Sequence, residues 1–153
     1  MGQIEGEASV EDTLALRRLA ENYASAADRR DAASFWGVFD DEVGVLKARS
    51  EVRGLDGAAK IMERLSQYAR TFHFIGNTRY ETDGDTATGE VYCMAHHLTP
   101  GPDSTTNFRM YMRYEDLYIR RPGRAGTGGW RIHERRFVVD WTETVIANAP
   151  GAW

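Results

Sequence analysis

Two side chains in this sequence stand among apolar neighbours and are equipped for proton transfer. Asp28 closes a stretch of helical periodicity, and His73 sits between two phenylalanines in Phe72-His73-Phe74. A carboxylate beside an imidazole makes a base. The carboxylate orients the ring, fixes its tautomer and stabilises the imidazolium that forms on proton uptake. The chemistry this implies is abstraction, by neutral His73, of a proton from a carbon made acidic by a carbonyl or a leaving group. Histidine suits it because an unperturbed imidazole titrates near working pH. Positioned acid–base groups contribute roughly 10²- to 10⁴-fold each, so an activated proton requires no metal and no cofactor. The plainer alternative is a hydrogen-bonded core histidine and a helix-end acceptor.

Other candidates cluster around these two. Tyr23 lies on the same helical stripe, where its phenol could donate to a developing enolate oxygen, as a phenol does in the oxyanion hole of ketosteroid isomerase. Equally, it could be a stripe aromatic. His96 and His97 are adjacent on a strand, so only one can face an interior. His97 shares its face with Val91, Cys93 and Ala95, which assigns it to the pocket and His96 to the opposite face. Neither His-x-x-x-His nor Cys-x-x-Cys occurs, so no metal site is expected. Cys93 reads as a buried, inert thiol. No strand–Gly-x-Gly-x-x-Gly–helix unit is present, which argues against nucleotide binding.

The elements that must carry these residues follow from periodicity. Leu16, Leu19, Ala20, Tyr23 and Ala27 predict a helix over 10–28, opened by a capping box of Ser9 and Asp12. Arg29-Arg30-Asp31 breaks it. A short helix is expected over 32–39, ended by Asp40-Asp41, followed by short strands at 42–46 and 49–53 and a third helix over 56–68. Strands then run over 72–82, 86–98, 107–120 and 130–141, with an Asp-Gly hairpin at Asp83-Gly84-Asp85. Arg120-Arg121-Pro122-Gly123-Arg124 reads as a solvated hairpin tip. Helices first and an antiparallel meander after them give an α+β fold, with the N-terminal helices packed on a curved antiparallel sheet that encloses a cone-shaped pocket. Alternation places Phe108, Met110, Met112 and Tyr114 on one face. The expected pocket wall is Met110, Met112 and Tyr114 with Phe35, Trp36, Phe39 and Leu46, suited to a flat, apolar, oxygenated substrate.

With 153 residues, 42% hydrophobic and 27% charged, the chain reads as one globular domain over 1–153. A net charge of −4 argues against a nucleic-acid partner. No run approaches the roughly 20 apolar residues that cross a bilayer, and the acidic start lacks a signal-peptide core. A soluble cytoplasmic protein with no membrane partner is the expectation. Tyr92, Met94, Tyr111 and Trp153 make an exposed face too apolar for a comfortable monomer.

In this order and spacing, several segments together resemble the SnoaL-like branch of the nuclear transport factor two-like superfamily. They are Tyr23-Ala24-Ser25-Ala26-Ala27-Asp28 with Asp31, Phe72-His73-Phe74-Ile75-Gly76-Asn77, Asp83-Gly84-Asp85-Thr86-Ala87, Arg113-Tyr114-Glu115-Asp116, and Trp130-Arg131-Ile132-His133-Glu134-Arg135-Arg136 through Asp140-Trp141. That group includes scytalone dehydratase, a bile-acid dehydratase and hexachlorocyclohexane dehydrochlorinase. The resemblance implies a cone fold and an Asp–His base at Asp28 and His73. It also implies a tyrosine at Tyr23 and a second active-site histidine at His97. Leu46 or Lys47 falls where a second tyrosine belongs, Val139 falls near a functional arginine of the bile-acid enzyme, and only arginines stand near the dehydrochlorinase lysine. The implied activity is a cofactor-independent dehydration, β-elimination or ketone isomerisation on a small hydrophobic substrate. Homodimers or homotrimers are implied as well. The rivals within the same fold are a non-catalytic scaffold, such as a ring-hydroxylating dioxygenase small subunit, and a cyclase or monooxygenase.

Overall fold

Leu16, Leu19, Ala20, Tyr23 and Ala27 do form one buried stripe, and α1 (Val10–Arg29) carries it against the sheet. The computed structural model describes residues 6–47, 50–121 and 126–148, with the side chains of 45–52 outside that description. Ser9 caps α1 by accepting the Asp12 N–H at 3.1 Å. Asp12 does not return the bond as a capping box would. Its carboxylate instead takes Arg120 Nη2 at 2.6 Å and Trp130 Nε1 at 2.8 Å, so the first turn of α1 is fastened to the far end of the sheet. The helix stops at Arg30, which adopts the left-handed conformation at φ 58°.

A short α2 (Ala32–Gly37) is capped by Asp31, which accepts from the Ser34 N–H and hydroxyl. The next segment departs from the sequence reading. Asp40-Asp41 does not end a helix; both residues lie inside β2 (Phe39–Lys47). The Asp40 carboxylate is buried and accepts from Arg121 at 2.8 and 3.0 Å, with His133 Nδ1 at 3.1 Å. Arg120 and Arg121 are therefore bridge-forming cations, not a solvated tip; residues 122–125, including Arg124, lie outside the described residues. After β3 (Ser50–Arg53), α3 (Gly54–Leu65) buries Ala58, Ile61 and Leu65.

The long strands are β4 (Arg70–Asp83), β5 (Thr86–Pro100), β6 (Thr105–Arg120) and β7 (Trp130–Ala147), each longer than its sequence signal. Among the described residues they form, with β1 (Gly6–Glu7), β2 and β3, a seven-stranded sheet in the order β1-β4-β5-β6-β7-β2-β3. All neighbours pair antiparallel except β2 and β7, which run parallel from Phe39↔Ile132. The meander therefore becomes a mixed sheet. Register shifts at Ile75/Thr78, Tyr111/Met112 and Leu117/Tyr118 are the bulges that curve it into a cone. Gly89 allows the curve to close, because a Cβ there would meet the Tyr80 ring at 2.5 Å. The helices cover the concave face, where Val91, Cys93, Ala95, Tyr114, Tyr118 and Ile132 complete the core. Fully burying a valine or isoleucine such as Val91 or Ile132 stabilises by about 1.5–3 kcal/mol. Among the described residues no helix is long and apolar enough to cross a membrane.

Candidate active site

Asp28 occupies the last turn of α1, where the helix macrodipole disfavours a carboxylate. Local donors compensate. Oδ2 accepts the His73 backbone N–H at 2.8 Å, while Oδ1 accepts the Thr71 hydroxyl at 3.0 Å and lies 2.7 Å from His73 Nδ1. Burial pushes the Asp28 carboxyl up, but the hydrogen bonds from the His73 ring and backbone, the charge of that ring and the Thr71 bond together hold it below the usual carboxylate range. An ionised carboxylate can only accept. Nδ1 of His73 therefore donates to it, and in the neutral imidazole the lone pair is left on Nε2. The His73 side chain is 3% exposed and that of Asp28 21%. Strand alternation separates His73 from its chain neighbours, since Phe72 and Phe74 point outward at 57% and 52% exposure. The His73 ring instead meets the Tyr23 ring of α1 and the His97 ring of β5, with Ala95 as its cross-strand partner.

His97 enters from β5 and is 5% exposed. Its Nδ1 lies 3.1 Å from the Phe108 carbonyl, so this nitrogen donates and Nε2 again carries a lone pair. Burial holds the His97 imidazole below its ordinary range and keeps it neutral. The His73 and His97 rings stand 5.9 Å apart at 81°, and Tyr68 packs 4.7 Å from His97. His96 faces the other way, toward Asn107 and Phe72.

Tyr23 lies above this pair, edge-on to His73 at 6.4 Å and ringed by Phe35, Phe39 and Tyr114 at 5.0–6.0 Å. Burial raises its phenol to about 12, against the opposing charge of Arg135. That guanidinium is fully buried. It bridges Asp116 at 2.8 and 2.6 Å, and Tyr118 donates to the same carboxylate at 2.7 Å. It is also clasped between Tyr23 and Tyr114, 4.4 and 4.0 Å from the ring centres. Its Nη1 has no hydrogen-bond partner among the described residues.

Residues 8–136 match the SnoaL-like domain. This chain belongs to the SnoaL-like family. An uncharacterised protein of Mycobacterium tuberculosis is 31% identical over 133 residues, covering 84% of this chain and 85% of its own. A type 2 hexachlorocyclohexane dehydrochlorinase superposes with a TM-score of 0.75 at 18% identity, covering 95% of this chain and all of that one. A Novosphingobium aromaticivorans protein named after scytalone dehydratase gives 0.73 at 18% identity, with 93% and 95% covered. Both structural likenesses concern the fold.

Within this SnoaL-like cone the expected wall residues divide. Phe35, Phe39 and Tyr114 are buried and back the Tyr23 ring, Met112 is buried in the same core, and Trp36 and Met110 keep part of their surface open. Leu46 lies on β2 with its side chain outside the described residues. Val139 turns outward; β7 buries two arginines, Arg131 near its start and Arg135, four positions before Val139, and Arg135 is the one against the Tyr23 ring. Sequence reasoning missed Arg135, although the signal was available: continuing the Phe108-to-Tyr114 alternation by one step puts Asp116 inside, and a buried acid needs a cation. Cys93 is buried, its thiol pushed up to about 11 by desolvation. No group of three or more metal-ligating side chains is found among the described residues. A separate hollow of about 320 Å³ between α1, α2 and the start of β7 shares no residue with Asp28, His73, Tyr23 or His97.

Proposed function

We propose that this SnoaL-like protein is a cofactor-independent lyase or isomerase that removes a proton from an activated carbon of a small, apolar, oxygenated ring compound. His73 Nε2 is the base and Asp28 orients it. The observation that carries this reading is the 2.7 Å Asp28–His73 contact with the imidazole withdrawn from solvent, which leaves a bare Nε2 in a water-poor interior. Tyr23, with Arg135 against its ring, supplies a phenol to the oxygen that gains charge. His97 supplies a second neutral imidazole to take part in departure of the leaving group. Phe35, Trp36, Phe39, Met110, Met112 and Tyr114 form the wall for the substrate ring. A scaffold without chemistry has no evident use for a buried dyad beside a buried guanidinium.

The test is hydrogen–deuterium exchange and elimination, followed by NMR, over a panel of cyclic β-hydroxy ketones, cyclohexenones and chlorinated cyclohexanes. His73→Gln retains shape and a hydrogen bond to Asp28 but has no basic nitrogen. Turnover should fall roughly 10²- to 10⁴-fold with the far-ultraviolet spectrum unchanged. Unaltered turnover in that variant would reject the dyad.

We also infer that the face of the sheet turned away from the helices is a contact between copies of this chain. Its apolar side chains are exposed, and its charges are already paired within the chain, Arg113 with Glu90 and Asp140, and Arg109 with Glu143.

A further inference from the structure

Arg30 stands where α1 ends, at φ 58° and ψ 32°. A side chain is strained in that left-handed conformation, and helices usually give the position to glycine. The guanidinium turns back under the helix end. Nη2 donates to the Leu65 carbonyl at 2.6 Å and reaches that of Tyr68 at 3.5 Å, while Nη1 donates to the Ala27 carbonyl and to Thr71 Oγ1 at 2.8 Å. The carbonyl bonds make Arg30 a strut between the ends of α1 and α3. The Thr71 bond has a different consequence. A guanidinium can only donate, so Thr71 Oγ1 accepts from it, and the single hydroxyl proton is left to point elsewhere. The acceptor it meets is Asp28 Oδ1, 3.0 Å away.

We propose that Arg30 is a positioning residue for the dyad, acting through Thr71 to commit the hydroxyl proton to Asp28 and so hold His73 in its Nδ1–H tautomer. The chain of bonds runs Arg30 → Thr71 → Asp28, with His73 Nδ1–H donating to the same carboxylate oxygen. Without the guanidinium, Thr71 is free to turn its proton away, Oδ1 loses one of two donors, and the carboxylate loses a nearby positive charge. The inference rests on the dyad reading above, although its test needs no turnover. The charged and titratable groups facing Asp28 are His73 on β4, Arg30 itself and, farther off, His97 and Cys93 on β5.

The full chain, labelled with ¹⁵N-histidine and ¹³C-aspartate, is compared with Arg30→Gly, Thr71→Val and the double variant by NMR across pH. Glycine relieves the backbone while deleting the guanidinium, and Thr71→Val leaves every carbonyl strut in place. The expected result is an upward shift of the Asp28 carboxyl titration in each single variant, with loss of the downfield His73 Nδ1–H resonance to solvent exchange. The double variant should shift no further than the larger single. If Arg30→Gly leaves both signals at their wild-type positions, Arg30 is a strut only, whatever Thr71→Val does. If the signals move as expected in a protein that turns over nothing, the coupling stands and the catalytic reading fails separately.

Discussion

Arg135 and Asp116 face each other with neither side chain exposed. Removing two charges from water costs several kcal/mol per ion, offset here by a two-pronged bond, the Tyr118 hydroxyl and the two tyrosine faces. Such a pair is brittle. Arg135→Met leaves a lone buried carboxylate and should destabilise by about 3–5 kcal/mol. Adding Asp116→Asn removes that charge and should restore most of the loss. Urea unfolding of both variants measures the difference, and a near-neutral Arg135→Met would mean that the ion pair does not hold the interior. Asp28 and His73 could be singled out from sequence because each is polar against an apolar local pattern. Arg135 could not be read that way. A strand arginine looks solvent-facing until its cross-strand partner is known: the alternation that puts Asp116 inside calls for a cation, but the register that makes it Arg135 is defined only by the folded sheet. Thr71 and Arg30 escaped for the same reason: their roles come from where three elements end, not from their own neighbours in the chain.

At the level of elements, α1 was legible almost to the residue because its stripe is regular and Ser9 caps it. β2 was not, because Asp40-Asp41 has the composition of a turn. What makes a strand of it is tertiary: Arg121, just past β6, and His133, on β7, satisfy a carboxylate that could not otherwise be buried. Their hydrogen bonds, that of Arg121 foremost, lower the Asp40 carboxyl to about 2 from its usual 3.8. A carboxyl depressed in the folded state stabilises fully above its unfolded value, and this contribution drains away as pH falls through the folded one. The window here runs from about pH 4 down to about pH 2. Asp40→Asn should therefore cost ~1–2 kcal/mol at neutral pH, a figure discounted because Arg121 is 41% exposed. The gap from wild type should close on acidification through that window. A penalty that stays constant down to the bottom of the window would show that the ion pair contributes nothing and that packing alone fixes the start of β2.

For the molecule as a whole, the unresolved balance lies on the face of the sheet that the helices leave open. Cross-strand pairing sets Phe74 beside Met94, Met94 beside Tyr111 and Tyr111 beside Trp141, and Tyr111 stacks on Trp141 at 4.5 Å. Phe72, Phe74, Tyr92, Met94 and Trp141 are all exposed there, around a hollow of about 290 Å³ that Phe74, Tyr92, Met94, Tyr111 and Trp141 help to line. An apolar patch of this kind is unusual on a monomer. Because Arg109 and Arg113 are neutralised within the chain, two identical faces can meet without stranding a charge, as a self-complementary contact requires. The expected outcome is self-association that persists in high salt, since apolar contact is not screened as exposed ion pairs are. Phe74→Glu with Trp141→Glu should convert the protein to a monomer in sedimentation velocity, with the circular dichroism unchanged because both side chains lie outside the core. Wild-type protein that sediments as a monomer at every concentration reached would overturn this assignment, and so would a double variant that stays associated. Either result would leave the interior dyad untouched, since His73 and Asp28 lie on the opposite side of the sheet from Phe72 and Phe74.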